Sequence, residues 1–366
     1  MCFRHLAGSS DFVCIEPHKR FDLPARCWQH IENMNVIHAA NELKPGSRKV
    51  CLAIGFFDGV HLGHQQIIRQ TIADAHQHDA IVLVITFDRH PNVVVAPDHV
   101  PPLIYSLPQK LGVIESLGAD TLLLIHFDER FSGQTGENFI RRLARDAGKI
   151  QSLCVGADFV FGHKRSGNVA LLKKLGGELG FTVHGLAAVS LDNQIVSSTR
   201  IREAIRSGNL DAASQMLGRP YAISGRVIAG DGVGRKLGFP TANLDAAGLV
   251  LPPNGVYVAH VNCRTGVAPV SNQSPAQAEQ KDGDRRDACP TTTHRAALNI
   301  GFRPTVVSAA PQLRIEAHLL DFHGDLYGQE LEIEISDRLR DEKKFSSLDE
   351  LKAQISRDVA EAGRRF

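Results

Sequence analysis

From Lys49 to Val189 the chain alternates between two hydrophobic patterns, and that alternation limits the folds open to it. Apolar runs at 50–55, 80–87, 121–127, 151–156 and 181–189 are separated by stretches at 62–77, 107–117, 136–147 and 168–179 with apolar residues at helical spacing. Strands alternating with helices of this length imply crossover units and a parallel sheet. The runs are apolar throughout, as expected of strands covered on both faces. From Tyr221 the pattern changes. Short strand-like segments at 222–228, 255–262, 296–301, 313–322 and 328–335 lie between Gly and Pro turns and read as a small antiparallel β-barrel. A helix over 348–364 follows, opened by the capping box Ser347-Leu348-Asp349-Glu350. A short helix at 209–217 leads to Gly218-Arg219-Pro220, where the domain boundary is expected. The expected fold class is α/β over 34–218, then a barrel with a C-terminal helix over 219–366.

A length of 366 residues agrees with about two domains. The net charge of +1 gives no reason to expect nucleic acid or an anionic membrane as partner. No stretch reaches the roughly 18 consecutive apolar residues of a spanning helix, and the N-terminus lacks the apolar core of a signal peptide. Seven cysteines with no C-x-x-C pair argue against a disulfide framework or a zinc ribbon. The chain reads as cytoplasmic, with reduced thiols. Residues 1–33 show no sustained period and are expected to be a poorly ordered extension, or the product of a start codon placed upstream of Met34. Residues 264–294 are polar, poor in large apolar side chains and too long for a hairpin loop, so a disordered insertion is expected there, with Cys289 and His294 incidental.

The first apolar run ends in Ile54-Gly55-Phe56-Phe57-Asp58-Gly59-Val60-His61-Leu62-Gly63-His64, a strand turning into a helix. In open parallel sheets ligands bind outside the carboxyl ends of the strands. A helix start offers free N–H groups and a positive dipole end, which favour phosphate. His61 and His64 are about one turn apart and can face the same way, where they would stabilise charge on phosphate oxygens. Gly63 removes a side chain where a ligand could approach. No G-x-G-x-x-G follows the strand and no P-loop occurs, so a dinucleotide dehydrogenase or P-loop enzyme is not indicated. Three later loops fall at the same edge: 86–91, 156–162 and 196–202. Asp158 reads as a magnesium ligand or a turn aspartate, and Phe159 and Phe161 as packing residues or the wall of a ring site. Ser197-Ser198-Thr199 is first of all a cap. It is followed by Arg200 and Arg202 where the helix dipole disfavours cations, which suggests a bound anion.

The second half carries Gly230-Asp231-Gly232-Val233-Gly234-Arg235-Lys236-Leu237-Gly238-Phe239-Pro240-Thr241-Ala242-Asn243. Its glycines let the backbone bend and present N–H groups to phosphate, and Arg235 and Lys236 add charge. Thr241 and Asn243 place hard oxygens on one face of an extended segment, which suits magnesium. In Arg314-Ile315-Glu316-Ala317-His318-Leu319, the apolar residues alternate with Arg314, Glu316 and His318 on the other face.

The stretch from Phe57 to His64 resembles the nucleotidylyltransferase signature of prokaryotic bifunctional riboflavin kinase/FMN adenylyltransferases (FAD synthetases), and Gly234 to Asn243 resembles their riboflavin kinase signature. The resemblance covers about 36–362 apart from the insertion. It implies a Rossmann-like FMN adenylyltransferase domain followed by a riboflavin kinase barrel, with riboflavin phosphorylated to FMN and FMN adenylylated to FAD with release of pyrophosphate. ATP is the implied co-substrate and Mg2+ the implied cofactor; riboflavin, FMN, FAD, ADP and pyrophosphate are the implied ligands. For adenylylation it implies His61 and His64 as catalytic residues. ATP and phosphate would be held by Gly55, Phe57, Asp58, Gly63, Ser197, Ser198, Thr199, Arg200 and Arg202. The flavin side would comprise His90, Pro91, Asp158, Phe159 and Phe161. For the kinase it implies Glu316 as general base, Gly230, Gly232, Gly234, Arg235, Lys236, Gly238 and Pro240 around ATP, and Thr241 and Asn243 on the metal. Phe56, Arg89 and Val160 stand where the family has Asn, Pro and Arg. They leave open a kinase with an inactive first domain. A flavin-binding regulator without turnover is the other alternative.

Overall fold

The computed structural model describes residues 34–263, 292–303 and 312–366. The expectations for 1–33 and for most of the insertion lie outside them. The chain divides into two compact units. The first comprises the residues up to Ile201 with Met216–Gly218, and the second Arg202–Gln215 with Arg219–Phe366. The division crosses the chain at Ile201–Arg202, at Gln215–Met216 and at Gly218–Arg219.

In the first unit the principal elements are β1 (Asn35–Ile37), β2 (Val50–Ile54), α1 (Leu62–His78), β3 (Ile81–Phe87), α2 (Leu107–Ser116), β4 (Thr121–Ile125), α3 (Gly136–Asp146), β5 (Ile150–Gly156), α4 (Val169–Leu179) and β6 (Thr182–Leu186). The strands form one parallel six-stranded sheet in the order β1-β4-β3-β2-β5-β6. From β2 the chain winds to one side through β3 and β4, then to the other through β5 and β6. The carboxyl end of β2 is therefore the switch point, where a crevice opens. Every residue of β2 is buried, and Leu52 has no exposed surface. Burying one such side chain stabilises the fold by about 1.5–3 kcal/mol. Helix α1 lays Ile67, Ile68, Thr71 and Ala75 inward, following the spacing in the sequence. Strand β1 was not anticipated, since three residues are too few to show a period. At the opposite edge β6 is half exposed, because an edge strand lacks a second neighbour.

Helices α5 (Ser198–Arg206) and α6 (Leu210–Leu217) lie at the division between the units. The second unit is a closed barrel of β7 (Ala222–Ile228), β8 (Ala242–Asp245), β9 (Gly255–Cys263), β10 (Thr292–Arg303), β11 (Gln312–Leu319) and β12 (Glu330–Asp341), in the order β7-β8-β11-β10-β9-β12. All pairs are antiparallel, and β12 closes on β7. Strand β10 starts at Thr292, inside the stretch expected to be disordered. A short helix, α7 (Val233–Leu237), and strand β8 were hidden in the glycine-rich segment. The C-terminal helix α8 (Leu348–Arg364) packs Ala362 with Val258 and Ala297. Ser347 caps it, accepting from the Glu350 amide, while the Glu350 carboxylate reaches the amide and hydroxyl of Ser346.

Candidate active sites

The turn after β2 is tightly built. Phe57 adopts a left-handed backbone (φ +54°) with its ring buried, and Gly59 (φ +74°) and Val60 (φ +39°) also have positive φ. His61 is the N-cap of α1. Its Nδ1 accepts the His64 amide at 3.4 Å, so the proton of a neutral His61 sits on Nε2. The His61 and His64 rings stack, centroids 3.6 Å apart, and Phe57 meets His64 edge-on at 5.3 Å. Gly55 leaves room for the Phe57 ring, and a Cβ on Gly63 would lie 3.3 Å from the His61 ring. Gly63 thus clears space for the His61 ring. Asp58, expected beside phosphate, turns its buried carboxylate to the amides of Ile104 and Tyr105, Oδ1 accepting at 2.9 and 3.3 Å. It holds the segment that leads into α2.

Ser197 caps α5 by accepting the Arg200 amide at 3.3 Å, and the Ser198 hydroxyl donates to the Asp58 carbonyl at 3.2 Å. That bond joins the start of α5 to the turn before the histidines. Thr199 is exposed. Arg200 was expected to answer a bound anion, but its guanidinium donates to the carbonyls of Leu191 and Gln194 at 3.3 and 3.1 Å. Arg202 lies one turn beyond Ser198 and is buried.

A cavity of about 960 Å³ opens beside the carboxyl ends of β2, β3 and β4. Phe56, Phe87, Phe127, Phe131, Pro91, Phe159 and Phe161 contribute to its walls. Phe159 and Phe161 stack on one another, centroids 5.1 Å apart. Of the other residues expected on this side, His90 packs edge-on against Phe56 at 4.9 Å and accepts the Asn92 amide, while Asp158 is exposed on the turn after β5. Val160 is exposed at the cavity. Arg89 and His126 both engage the Asp88 carboxylate, at 3.3 and 2.7 Å. Burial would raise Asp88, but the Phe127 amide, His126 and Arg89 outweigh it and hold the carboxyl below its ordinary range.

Sequence reasoning missed Lys110. It is buried in the first turns of α2, with Nζ donating to the carbonyls of Phe87 (2.8 Å) and Phe56 (3.2 Å) and to the Thr86 hydroxyl (3.2 Å). The only sequence signal was a cation near a helix N-terminus, where the dipole disfavours it.

In the barrel the glycine-rich segment is pinned by β11 at both ends. Arg314 meets Asp231 at 2.8 Å, and His318 Nδ1 donates to the Pro240 carbonyl at 2.8 Å. Glu316 lies between them and lines a small cleft with Gly230, Gly232, Gly234, Arg235, Pro240, Thr241 and Asn243. Gly232 and Gly238, both with positive φ, cap the two ends of α7, and Lys236 is exposed on it. A Cβ on Gly230 would collide with the Asn243 side chain of β8, and one on Gly234 with the Phe239 carbonyl of the same segment, so the segment packs this closely only because both are glycine. In register, Glu316 stands between Asn243 of β8 and Asn299 of β10. Directly paired residues share a face of the sheet, so Asn299 joins this set. The Asn243 Oδ1 is buried and makes no hydrogen bond among the described residues. No group of three or more His, Cys, Asp or Glu suited to a metal occurs among those residues.

A helix start with two stacked histidines on one unit and a glycine-lined cleft with a carboxylate on the other define a class: enzymes that handle nucleotide phosphates at two separate centres. The chain belongs to the bifunctional riboflavin kinase/FMN adenylyltransferase family. The FAD synthetase family matches residues 43–200 and the riboflavin kinase family residues 217–366. The bifunctional riboflavin kinase/FMN adenylyltransferase of Escherichia coli (strain K12) is 37% identical over 334 residues, covering 91% of this chain and 98% of the relative. That of Haemophilus influenzae is 35% identical, covering 90% and 97%. A crystal structure from Streptococcus pneumoniae, described as a macrolide-efflux protein, superposes with a TM-score of 0.71 at 27% identity, covering 91% of this chain and 99% of that one. Among the described residues no helix is long and apolar enough to cross a membrane.

Proposed function

We propose that the chain makes FAD in two steps, with Glu316 serving the first and the His61–His64 pair the second. It is a bifunctional transferase, phosphorylating riboflavin to FMN and adenylylating FMN to FAD with ATP as co-substrate. The observation that carries the assignment of the first step is the position of Glu316, open to the cleft between two side chains that fix the glycine-rich segment. The 5′-hydroxyl of riboflavin is a poor nucleophile. Glu316 takes its proton as the oxygen attacks the γ-phosphorus of ATP, and ADP leaves; such base catalysis contributes about 10²–10⁴ in rate. Arg235, Lys236 and the glycine N–H groups hold the phosphates. The residues fit a magnesium ion, since Asn243 offers a buried oxygen with no hydrogen bond among the described residues and Thr241 a second one two residues away. Bound there, magnesium would neutralise phosphate charge.

The second step needs no base, because the FMN phosphate is already anionic. It attacks the α-phosphorus of ATP and pyrophosphate leaves. His61 donates from Nε2, and His64, Ser198 and Thr199 complete the donors for the developing charge. The aromatic cavity holds the isoalloxazine ring, with Phe159, Phe161 and Pro91 among its walls. Phe56 and Val160 also line that cavity, so these departures from the family fall on its wall. Cytoplasmic location is part of the same proposal. Incubating the protein with riboflavin, ATP and magnesium and separating the flavins tests it. FMN followed by FAD is expected; FMN alone would leave a kinase, and unchanged riboflavin a binding protein.

A further inference from the structure

Burying a lysine in the first turns of a helix is costly. The ammonium loses its hydration, and the helix dipole opposes it. Lys110 is nevertheless only 4% exposed, and its donors go to Phe87, Phe56 and Thr86. These acceptors stand where β2 and β3 end and their chains part, so the carbonyls have left the ladder and need donors from elsewhere. The Phe56 carbonyl receives a second bond, from the Thr86 hydroxyl at 2.9 Å, and the Phe56 ring lies 4.5 Å from the ammonium. Phe56 directly precedes Phe57, whose left-handed backbone and buried ring back the His64 imidazole. A continuous line of contacts thus runs from the Lys110 ammonium through the Phe56 carbonyl to the histidine pair.

We propose that Lys110 is a positioning residue for adenylyl transfer: its ammonium fixes the turn between β2 and α1 and thereby the aim of His61 and His64. The inference rests on the assignment of adenylylation to this unit. The charged and titratable groups facing Lys110 are Asp58 from the turn after β2 and Asp88 from the end of β3. Arg89 and His126 are engaged with Asp88, and His90 packs edge-on against Phe56. Burial pulls Lys110 down to about 8, against the pull of the two aspartates. The ammonium is therefore present below that pH and lost as pH rises through it. The neutral amine has two hydrogens for three acceptors, and the turn loosens.

The test follows FAD formation from FMN and ATP with the full chain from about pH 6 to pH 10, with riboflavin phosphorylation by the same samples as the reference. The wild-type kcat for adenylylation should fall about tenfold per pH unit above its break, and the kinase should not share that limb. Lys110→Met should lower adenylylation kcat at least about tenfold, change KM for ATP by less than about threefold, and remove the alkaline limb. Lys110→Arg, charged throughout, should recover part of the rate without the limb. A wild-type profile with no break near 8 while the protein stays folded overturns the proposal. So does a Lys110→Met enzyme within about twofold of wild type, or one that keeps the limb. If neither variant folds, the wild-type profile alone decides. A wild-type protein that makes no FAD at any pH would instead overturn the assignment beneath it.

Discussion

At the scale of single residues, the two proposed centres differ in what they ask of a side chain. The kinase asks Glu316 to move a proton, so removing its charge should matter more than removing its bulk. Glu316→Gln is expected to lower riboflavin phosphorylation by about 10²–10⁴ while FAD formation from supplied FMN continues. Near-normal phosphorylation by this variant would remove Glu316 as the base. The adenylyl site asks its histidines to hold charge, not to take a proton. His64→Ala should cost about 10²–10³, the loss typical of one transition-state donor. In a coupled assay this variant would accumulate FMN and make little FAD. Loss of both reactions at unchanged thermal stability would point to one shared centre instead.

At the scale of elements, β11 works as a clamp. Its outward residues Arg314 and His318 hold the two ends of the glycine-rich segment, and its inward residues Ile315, Ala317 and Leu319 are buried. Strand alternation lets one short segment do both. The Asp231 partner of Arg314 is more than half exposed, so the pair is worth at most about 1 kcal/mol. Arg314→Ala should accordingly raise the kinase KM for ATP by no more than about fivefold and leave kcat nearly unchanged. A large fall in kcat would show that Arg314 meets the reacting groups directly. The corresponding device in the parallel sheet is the switch point. A fully buried strand delivers the chain to a helix start, and Asp58, Ser198 and Lys110 tie that turn to three other segments.

At the scale of the whole molecule, the division into two units makes the kinase separable. A fragment of residues 219–366 contains the closed barrel, the glycine-rich segment and Glu316, and should phosphorylate riboflavin. Residues 202–215 group with this unit as well. Ser214 accepts the Tyr221 amide through its hydroxyl and the Arg219 amide through its carbonyl. A fragment of residues 202–366 should therefore melt several degrees higher than one beginning at 219, as about 1 kcal/mol does in a domain of this size. Equal melting temperatures would return the boundary to Gly218-Arg219.

Much of this was legible in the chain itself. Period and composition located the buried strands of the parallel sheet, the helices between them and the change to barrel strands, because those patterns record burial directly. The histidine turn and the glycine-rich segment were legible because few residue types satisfy a strand-to-helix phosphate site or a backbone pressed against a strand. What stayed hidden depends on partners distant in sequence. Asp58 reads as a phosphate neighbour until Ile104 and Tyr105 claim its carboxylate. Arg200 reads as an anion ligand until the Leu191 and Gln194 carbonyls take it. Lys110 drew no reading at all, and its role rests on acceptors at the ends of β2 and β3 that only the fold brings to it. The sequence by itself determined the family, the order of the two folds and the residues proposed to carry the chemistry. Only the tertiary structure decided which are aimed at a ligand and which hold the others in place, because hydrogen-bond partners brought together by folding leave no period in the chain.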